Sequence, residues 1–401
     1  MVKKKVMLVI IDGIGSLPVR DGKTEWELTR TPNLDRFMRC GVYGLMYSIR
    51  MGVIPGSDTS HLNILGYTPE KYYPGRGPLE ALGAGIVLKE GEIAFRANFA
   101  TVDDMFNVID RRAGRVSTQE AYLLSKEIEH MVIDGYEFFF KSTIEHRGVL
   151  VVRGKLPGRH IEDTDPHETG KPVVWPKPSG DGARLANAIT KYTKEVYKRL
   201  SRHNINTNRK LPANIVLLRG AGVYKKVEPF EKRYGMRACC IAGGALYKGI
   251  ARYVGMDVID VKGATGGYDS DLDAKAHAAR ELIKTYDFVM LHVKGMDNAG
   301  HDGNIRMRVN MIKKIDRMLG KLTDLKDTIM VITGDHSTPP TKMAHSHEPV
   351  PIIIYGVEAR DYGARKFCEV ECGKGELGRI CGDQLMQLIL SYSGRTEKYG
   401  S

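Results

Sequence analysis

The sequence predicts an α/β protein: a mostly parallel sheet flanked by helices, with a smaller α+β domain inserted into it. Strand-like apolar runs, each followed by a polar or glycine-rich turn, alternate with helical patterns. The middle of the chain reads instead as hairpins. Acidic and histidine residues cluster just after several strands, where α/β folds gather their ligands.

The first buried strand is Val6–Ile11, stopped by Asp12. The lysine-then-apolar start, MVKKKVMLVIIDG, has the outline of a signal peptide but no small-residue cleavage site. Further strands are read at Ile215–Leu218, Phe288–Val293, Ile329–Thr333 and Ile352–Tyr355. Helical patterns cover Ala183–Leu200, Asp273–Tyr286, Ile305–Leu322 and Leu377–Tyr392. From about Glu92 to Arg153 the alternation in EIAFRANFATV and YEFFFKSTIEHRGVLVVRG indicates antiparallel strands. A Pro/Gly/His-rich loop occupies residues 154–180. The expected division is residues 1–75 with 235–401, and an insert at 76–234.

Composition is that of a globular chain: 401 residues, 42% hydrophobic and 27% charged, enough for two domains. No run approaches the length of a membrane span. Six cysteines, with Cys239 and Cys240 adjacent, do not make a disulfide framework, which favours a cytoplasmic protein. Cys368 and Cys372 lack the second pair that a zinc site needs. The net charge of +12 is not concentrated into a basic tract or a nucleic-acid module; a lysine-rich surface is its commoner source, and an anionic small substrate would explain part of it just as well.

Three strand ends carry the chemistry. VIIDGIG places Asp12, VMLHVKGMDNAGHDG places Asp297 and His301, and MVITGDHSTPPTKMAHSHEPVP places Asp335, His336 and His345. An aspartate at one strand end commonly just caps the next helix. Together these residues give three carboxylates and three imidazoles at one sheet edge, a donor set suited to two divalent ions such as manganese or zinc. GSDTSHLNILG offers three hydroxyls, Ser57, Thr59 and Ser60, in what also reads as a helix N-terminus. Asp269, Asp271 and Asp273 have calcium-loop spacing, but Ala274 and Arg280 stand where an EF-hand needs Gly and Glu. GATGG lacks the Lys-Ser/Thr of a P-loop, so no nucleotide is implied.

The ordered set of DG, GSDTSHLN, DxxxH, GDH and HSHEPVP resembles the metal-binding framework of the alkaline phosphatase superfamily. More narrowly, DGIGS, TPNLD, PGSDTSHLNILGY, GRGPLEALGAGI, FRANFATVD, DRRAGR, DTDPHETG and GDHSTP resemble the archaeal-type cofactor-independent phosphoglycerate mutases, over nearly the whole chain. The resemblance implies an alkaline-phosphatase-like metal-binding domain and an inserted substrate-binding domain. It also implies interconversion of 3- and 2-phosphoglycerate through a phosphoserine, with two divalent ions, manganese first and zinc, cobalt or magnesium as substitutes. By motif position Ser60 resembles the nucleophile, with Ser57 and Thr59 as rival hydroxyls and Asn63 placed to orient a phosphate oxygen. The implied ligands are Asp12, Ser60, Asp335 and His336 for one metal and Asp297, His301 and His345 for the other. His347 competes with His345, and His61 stands outside the ligand set.

A guanidinium fork binds carboxylate or phosphate bidentately. The arginines expected to hold substrate are Arg96, Arg111, Arg115 and Arg159, with His160 beside them and Lys262 before GATGG. Arg112 and His167 are weaker candidates. Another metal-dependent phosphotransferase or phosphatase of the superfamily, for example one like homoserine kinase, is the alternative activity. A non-enzymatic metal- or RNA-binding role sits poorly with so complete a set of nucleophile and ligands.

Overall fold

The computed structural model describes residues 3–155, 161–398 and 400. The chain forms two compact units, one of residues up to Tyr73 together with those from Val227 on, the other Pro74–Lys226.

The first unit is an α/β structure on an eight-stranded sheet. The strand order is Asp257–Val258, Ala238–Ile241, Phe288–Val293, Lys5–Ile11, Thr328–Thr333, Val350–Tyr355, Gly41–Tyr47, Gly378–Cys381. Val350–Tyr355 runs antiparallel to both neighbours, and the remaining pairs are parallel. The central strands KVMLVII, FVMLHV and TIMVIT are almost wholly buried, as a sheet covered by helices on both faces requires. The covering helices, among them Ala245–Tyr253, Leu272–Leu282 and Ile305–Gly320, each bury one apolar stripe, such as Met311, Ile312, Ile315, Met318 and Leu319. No helix among the described residues is long and apolar enough to cross a membrane.

The second unit is α+β, with a six-stranded antiparallel sheet built around Ile93–Val102. Its core packs Phe95, Phe99, Phe138 and Phe140 against Leu185, Ile189 and Val196 of the helix Ala183–Ser201. Phe138 and Tyr192 stack with ring centroids 4.6 Å apart.

Two elements depart from the sequence reading. Ile215–Leu218 opens the strand Ile215–Val223 of this antiparallel sheet, pairing with Ile93–Val102, and is not part of the parallel one. Its unbroken apolar run arises because Val216 and Leu218 enter one core cluster while Ile215 and Leu217 enter another on the opposite face. The stretch expected as one helix, Leu377–Tyr392, is a strand, Gly378–Cys381, followed by a helix starting at Leu385. Gly378, at φ +56°, interrupts the helical period there. The strands Gly41–Tyr47 and Ala238–Ile241 carried too weak a signal to be read, one being punctuated by glycine and the other only four residues long.

Where the second unit begins and ends, its chain meets itself. A Cβ on Gly75 would lie 2.7 Å from Gly222 Cα, and one on Gly222 would lie 2.1 Å from Pro74 O. Next to this crossing, Gly77 in the helix Arg76–Gly83 lies against the strand Ile93–Val102, and an added Cβ would sit 2.0 Å from Ala94 O. Backbone cannot rotate away from such a clash. Gly77→Ala is therefore expected to lower stability by about 3 kcal/mol, the upper range for overpacking, read as a shifted midpoint in urea unfolding. An unchanged midpoint would show that the helix does not press on the strand this closely.

Candidate metal and phosphoryl-transfer site

Three parallel neighbours, Phe288–Val293, Lys5–Ile11 and Thr328–Thr333, end side by side and deliver the acidic and histidine residues to one edge. Asp12 follows the middle strand directly. Asp297 and His301 lie on the short helix Gly295–His301, and Asp335 and His336 in the turn after Thr333. His345 comes from the loop leading into Val350–Tyr355.

Candidate ligand atoms of Asp12, Asp335 and His336 fall within 4.8 Å of one another, as do those of Asp297, His336 and His345. His336 thus belongs to both groups, its Nε2 lying 3.1 Å from Asp335 Oδ2 and 3.4 Å from Asp12 Oδ1. His345 Nε2 is 3.6 Å and His301 Nε2 is 3.3 Å from Asp297 Oδ1. The His336 and His345 rings stack 3.6 Å apart, while His347 is exposed.

Asp12 and Asp335 are fully buried and Asp297 nearly so. Burial by itself raises a carboxyl pKa, yet Lys294, with His292 and His336, holds Asp12 well below the usual range. Asp297 is likewise depressed: burial is outweighed by His301, His345 and Lys294. His336 is pushed up to about 9, because Asp335, Asp12 and Asp297 overcome the effect of burial. Lys294 Nζ stands between two of the carboxylates, 2.6 Å from Asp297 Oδ2 and 3.1 Å from Asp12 Oδ2. Even so, Asp12 Oδ1 and Asp335 Oδ2 remain buried without a hydrogen-bond partner. Orphaned carboxylate oxygens beside imidazole nitrogens fit divalent cations that take mixed carboxylate and imidazole ligands.

The two leading serines separate on the helix Ser57–Ile64. Ser57 Oγ lies 3.0 Å from His336 Nε2, in the first helical turn. Ser60, three residues on, faces elsewhere: its Oγ pairs with Ser48 Oγ at 3.1 Å, and no hydrogen bond joins it to Asp12, Asp335 or His336 among the described residues. The hydroxyl brought to the ligand cluster is Ser57, contrary to the placement expected for Ser60. Asn63 donates to Ser48 O at 2.7 Å and Thr59 Oγ1 to Gly56 O at 3.0 Å, so both serve the local backbone. His61 is buried, with Nδ1 2.7 Å from Ser57 O.

Three neighbours of the cluster escaped the sequence reading: Lys294, Tyr247 and His292. Tyr247 donates a very short hydrogen bond to Asp12 Oδ2 and stacks on His292 at 3.6 Å. Lys294 could have been found from its place one residue past a strand end. Tyr247 looks like part of an amphipathic helix and His292 like a core strand position, so neither carries a local signal.

The second unit holds the arginines. Arg111 is bidentate to Asp165, at 2.9 and 2.7 Å. Arg115 and Arg112 are exposed, and Arg115 sits at φ +54°. Arg96 lies 3.5 Å from Glu80, and its pKa is lowered to about 10 by burial and by Arg76, Arg219 and Arg147. Arg219, missed from sequence, has a buried Nε without a partner. His167 lies 3.4 Å from the Arg111 guanidinium. Lys262, in the first unit, is exposed. Arg159 and His160 lie outside the described residues.

Comparison with known proteins matches residues 4–392 to the metalloenzyme superfamily. The chain is 46% identical to 2,3-bisphosphoglycerate-independent phosphoglycerate mutase 1 of Methanocaldococcus jannaschii, covering 100% of both chains. It is 42% identical to the 2,3-bisphosphoglycerate-independent phosphoglycerate mutase of Thermococcus kodakarensis, again over 100% of both. Among solved structures, the cofactor-independent phosphoglycerate mutase of Thermoplasma acidophilum superposes with a TM-score of 0.74 at 34% identity, over 98% of this chain and 100% of the other. A protein of Pyrococcus horikoshii superposes at 0.86, with 34% identity and 100% coverage of both. On sequence and fold together, the chain belongs to the metalloenzyme superfamily and, within it, to the 2,3-bisphosphoglycerate-independent phosphoglycerate mutases.

Proposed function

We propose that this protein interconverts 3-phosphoglycerate and 2-phosphoglycerate through a phosphoserine at Ser57, beside a site for two divalent cations, manganese being the first choice. The observation that carries this reading is the 3.0 Å approach of Ser57 Oγ to Nε2 of His336, the residue common to both ligand groups. Asp12, Asp335 and His336 would hold one cation, and Asp297, His301 and His345 the other. Bound there, such ions neutralise phosphoryl oxygens and lower the pKa of a coordinated hydroxyl.

The chain's own groups supply the rest. Ser57 sits in the first turn of its helix, where free N–H groups and the dipole favour an anion. It takes the phosphoryl group from the 3-oxygen of the substrate and returns it to the 2-oxygen. Lys294 sets a positive charge next to the transfer point, and Tyr247 and His292 hold Asp12 in place. The second unit is the substrate-binding domain in this reading. Arg96 and Arg219 are its candidates for the glycerate carboxylate, because Asp165 holds Arg111 bidentately whereas Arg219 Nε is buried without a partner. The free state of all six cysteines supports a reducing, cytoplasmic setting.

Three outcomes test the reading. Ser57→Ala should lose turnover on the order of 10⁴-fold with the fold intact, whereas Ser60→Ala should stay within about tenfold of the parent. After incubation with labelled 3-phosphoglycerate and an acid quench, peptide mass spectrometry should find the phosphate on Ser57. Phosphate on Ser60 or Thr59 would assign the nucleophile otherwise.

Chelation should abolish activity, and added manganese, cobalt, zinc or magnesium should restore it. Since histidine ligates only when neutral, the cation concentration needed should rise as pH falls. Full turnover in chelated protein rules the cations out.

Arg96→Ala and Arg219→Ala should each raise KM for 3-phosphoglycerate by about 10–100-fold, the cost of losing a charge-assisted contact. Hydrolysis of a small aryl phosphate should hardly change, since it has no carboxylate to hold. Equal losses on both substrates would move these arginines out of substrate recognition.

A further inference from the structure

Behind the ligand cluster lies a cation that the proposed chemistry does not use. Arg308, the fourth residue of the helix Ile305–Gly320, is fully buried. Its Nη1 donates to Gly13 O at 3.1 Å, Met296 O at 3.1 Å and Thr338 O at 3.0 Å, and Nη2 donates to Gly15 O at 3.4 Å. Its Nε is 2.7 Å from the buried carboxylate of Glu25. Gly13 follows Asp12, Met296 precedes Asp297, and Thr338 is two residues past His336. One planar, rigid fork therefore joins the three loops that carry ligands of both cation sites.

Thr338 extends the connection forward. Its hydroxyl donates to Asp297 Oδ1 at 2.8 Å and lies 3.0 Å from His336 Nδ1. A hydroxyl has one proton, and the carboxylate takes it, so Nδ1–H of His336 must be the donor in the second contact. In the neutral ring that ligation requires, that tautomer leaves the Nε2 lone pair facing Asp12 and Asp335.

We infer that Arg308, kept in place by Glu25, is a positioning residue for the divalent cations: it sets the separation of the Asp12, Asp297 and His336 loops before metal arrives. Strand-end loops are otherwise the least constrained parts of such a sheet, whereas a metal site needs its donors fixed to a fraction of an ångström. A lysine could keep the charge, but its single nitrogen could not meet these carbonyls and the Glu25 carboxylate together. The inference rests on the two-cation reading above.

The test is calorimetric titration of the metal-stripped full chain with Mn²⁺ alone, paired with melting curves of the metal-free protein. Arg308→Lys should weaken Mn²⁺ binding about tenfold or more, the usual scale for losing a group that orients metal ligands. Glu25→Gln, which removes the carboxylate charge that faces the guanidinium, should weaken it by at least about threefold on the same reasoning. Asp316→Asn is the control. This buried carboxylate accepts from the Asn33 and Leu34 amides and ties the same helix elsewhere, so it should lower the melting point but leave Mn²⁺ affinity within about twofold.

If Arg308→Lys fails to fold, Glu25→Gln carries the reading by itself. Unchanged Mn²⁺ affinity in the folded variants overturns the positioning role, as does an equal loss in Asp316→Asn, which would mark general loosening. A parent protein that binds no Mn²⁺ overturns the two-cation reading instead.

Discussion

Three buried carboxylates gathered around His336 are the constraint to which the rest of the first unit answers. Asp12, Asp297 and Asp335 repel one another in a medium that screens poorly, and such a set persists only where positive charge is supplied from several sides. The chain supplies part of it, through Lys294 between Asp12 and Asp297 and through His336 against Asp335. The buried oxygens left over on Asp12 and Asp335 measure what the protein does not neutralise by itself. This unmet demand is what makes the cluster a candidate holder of divalent ions.

Meeting the constraint dictates the topology. Each carboxylate comes from a different strand end, so three strands must be adjacent, parallel and in register, and parallel neighbours require helical crossovers. The hydrophobic bulk of the sheet and its covering helices thus maintains a few polar positions at one edge. The same helices bring Tyr247 and Arg308 into contact with that edge. Packing and chemistry share the same elements here.

Much of this was legible in the sequence because it is written locally. The run MLVII with Asp12 at its end reads as a buried strand with a carboxylate at its tip, and DNAGH reads as an acid and a histidine in one short loop, which the fold winds into a helix. What was not legible depends on direction. Ser57 and Ser60 have the same side chain and lie three residues apart, but a helix turns about 100° per residue, so only the fold shows which faces His336. Asn63 seemed free to orient phosphate and is taken by Ser48's carbonyl. Arg111 seemed a ligand for substrate, whereas Asp165, 54 residues away in sequence, already holds it. Leu377–Tyr392 failed differently: its apolar content suits a helix, but Gly378 adopts a backbone that a helix excludes.

The meeting of Gly75 with Gly222 bears on how this chain came to be assembled. A polypeptide that enters and leaves an insert at one point imposes almost no end-to-end separation on its host, so the host loses little by accepting it. In sequence, everything from Pro74 to Lys226 is a single interruption of the first unit. Such an arrangement lets recombination exchange one insert for another while the strand ends that hold Asp12, Asp297 and Asp335 stay untouched. One core could in this way be paired with different inserts through a single gap, without relearning how to fold.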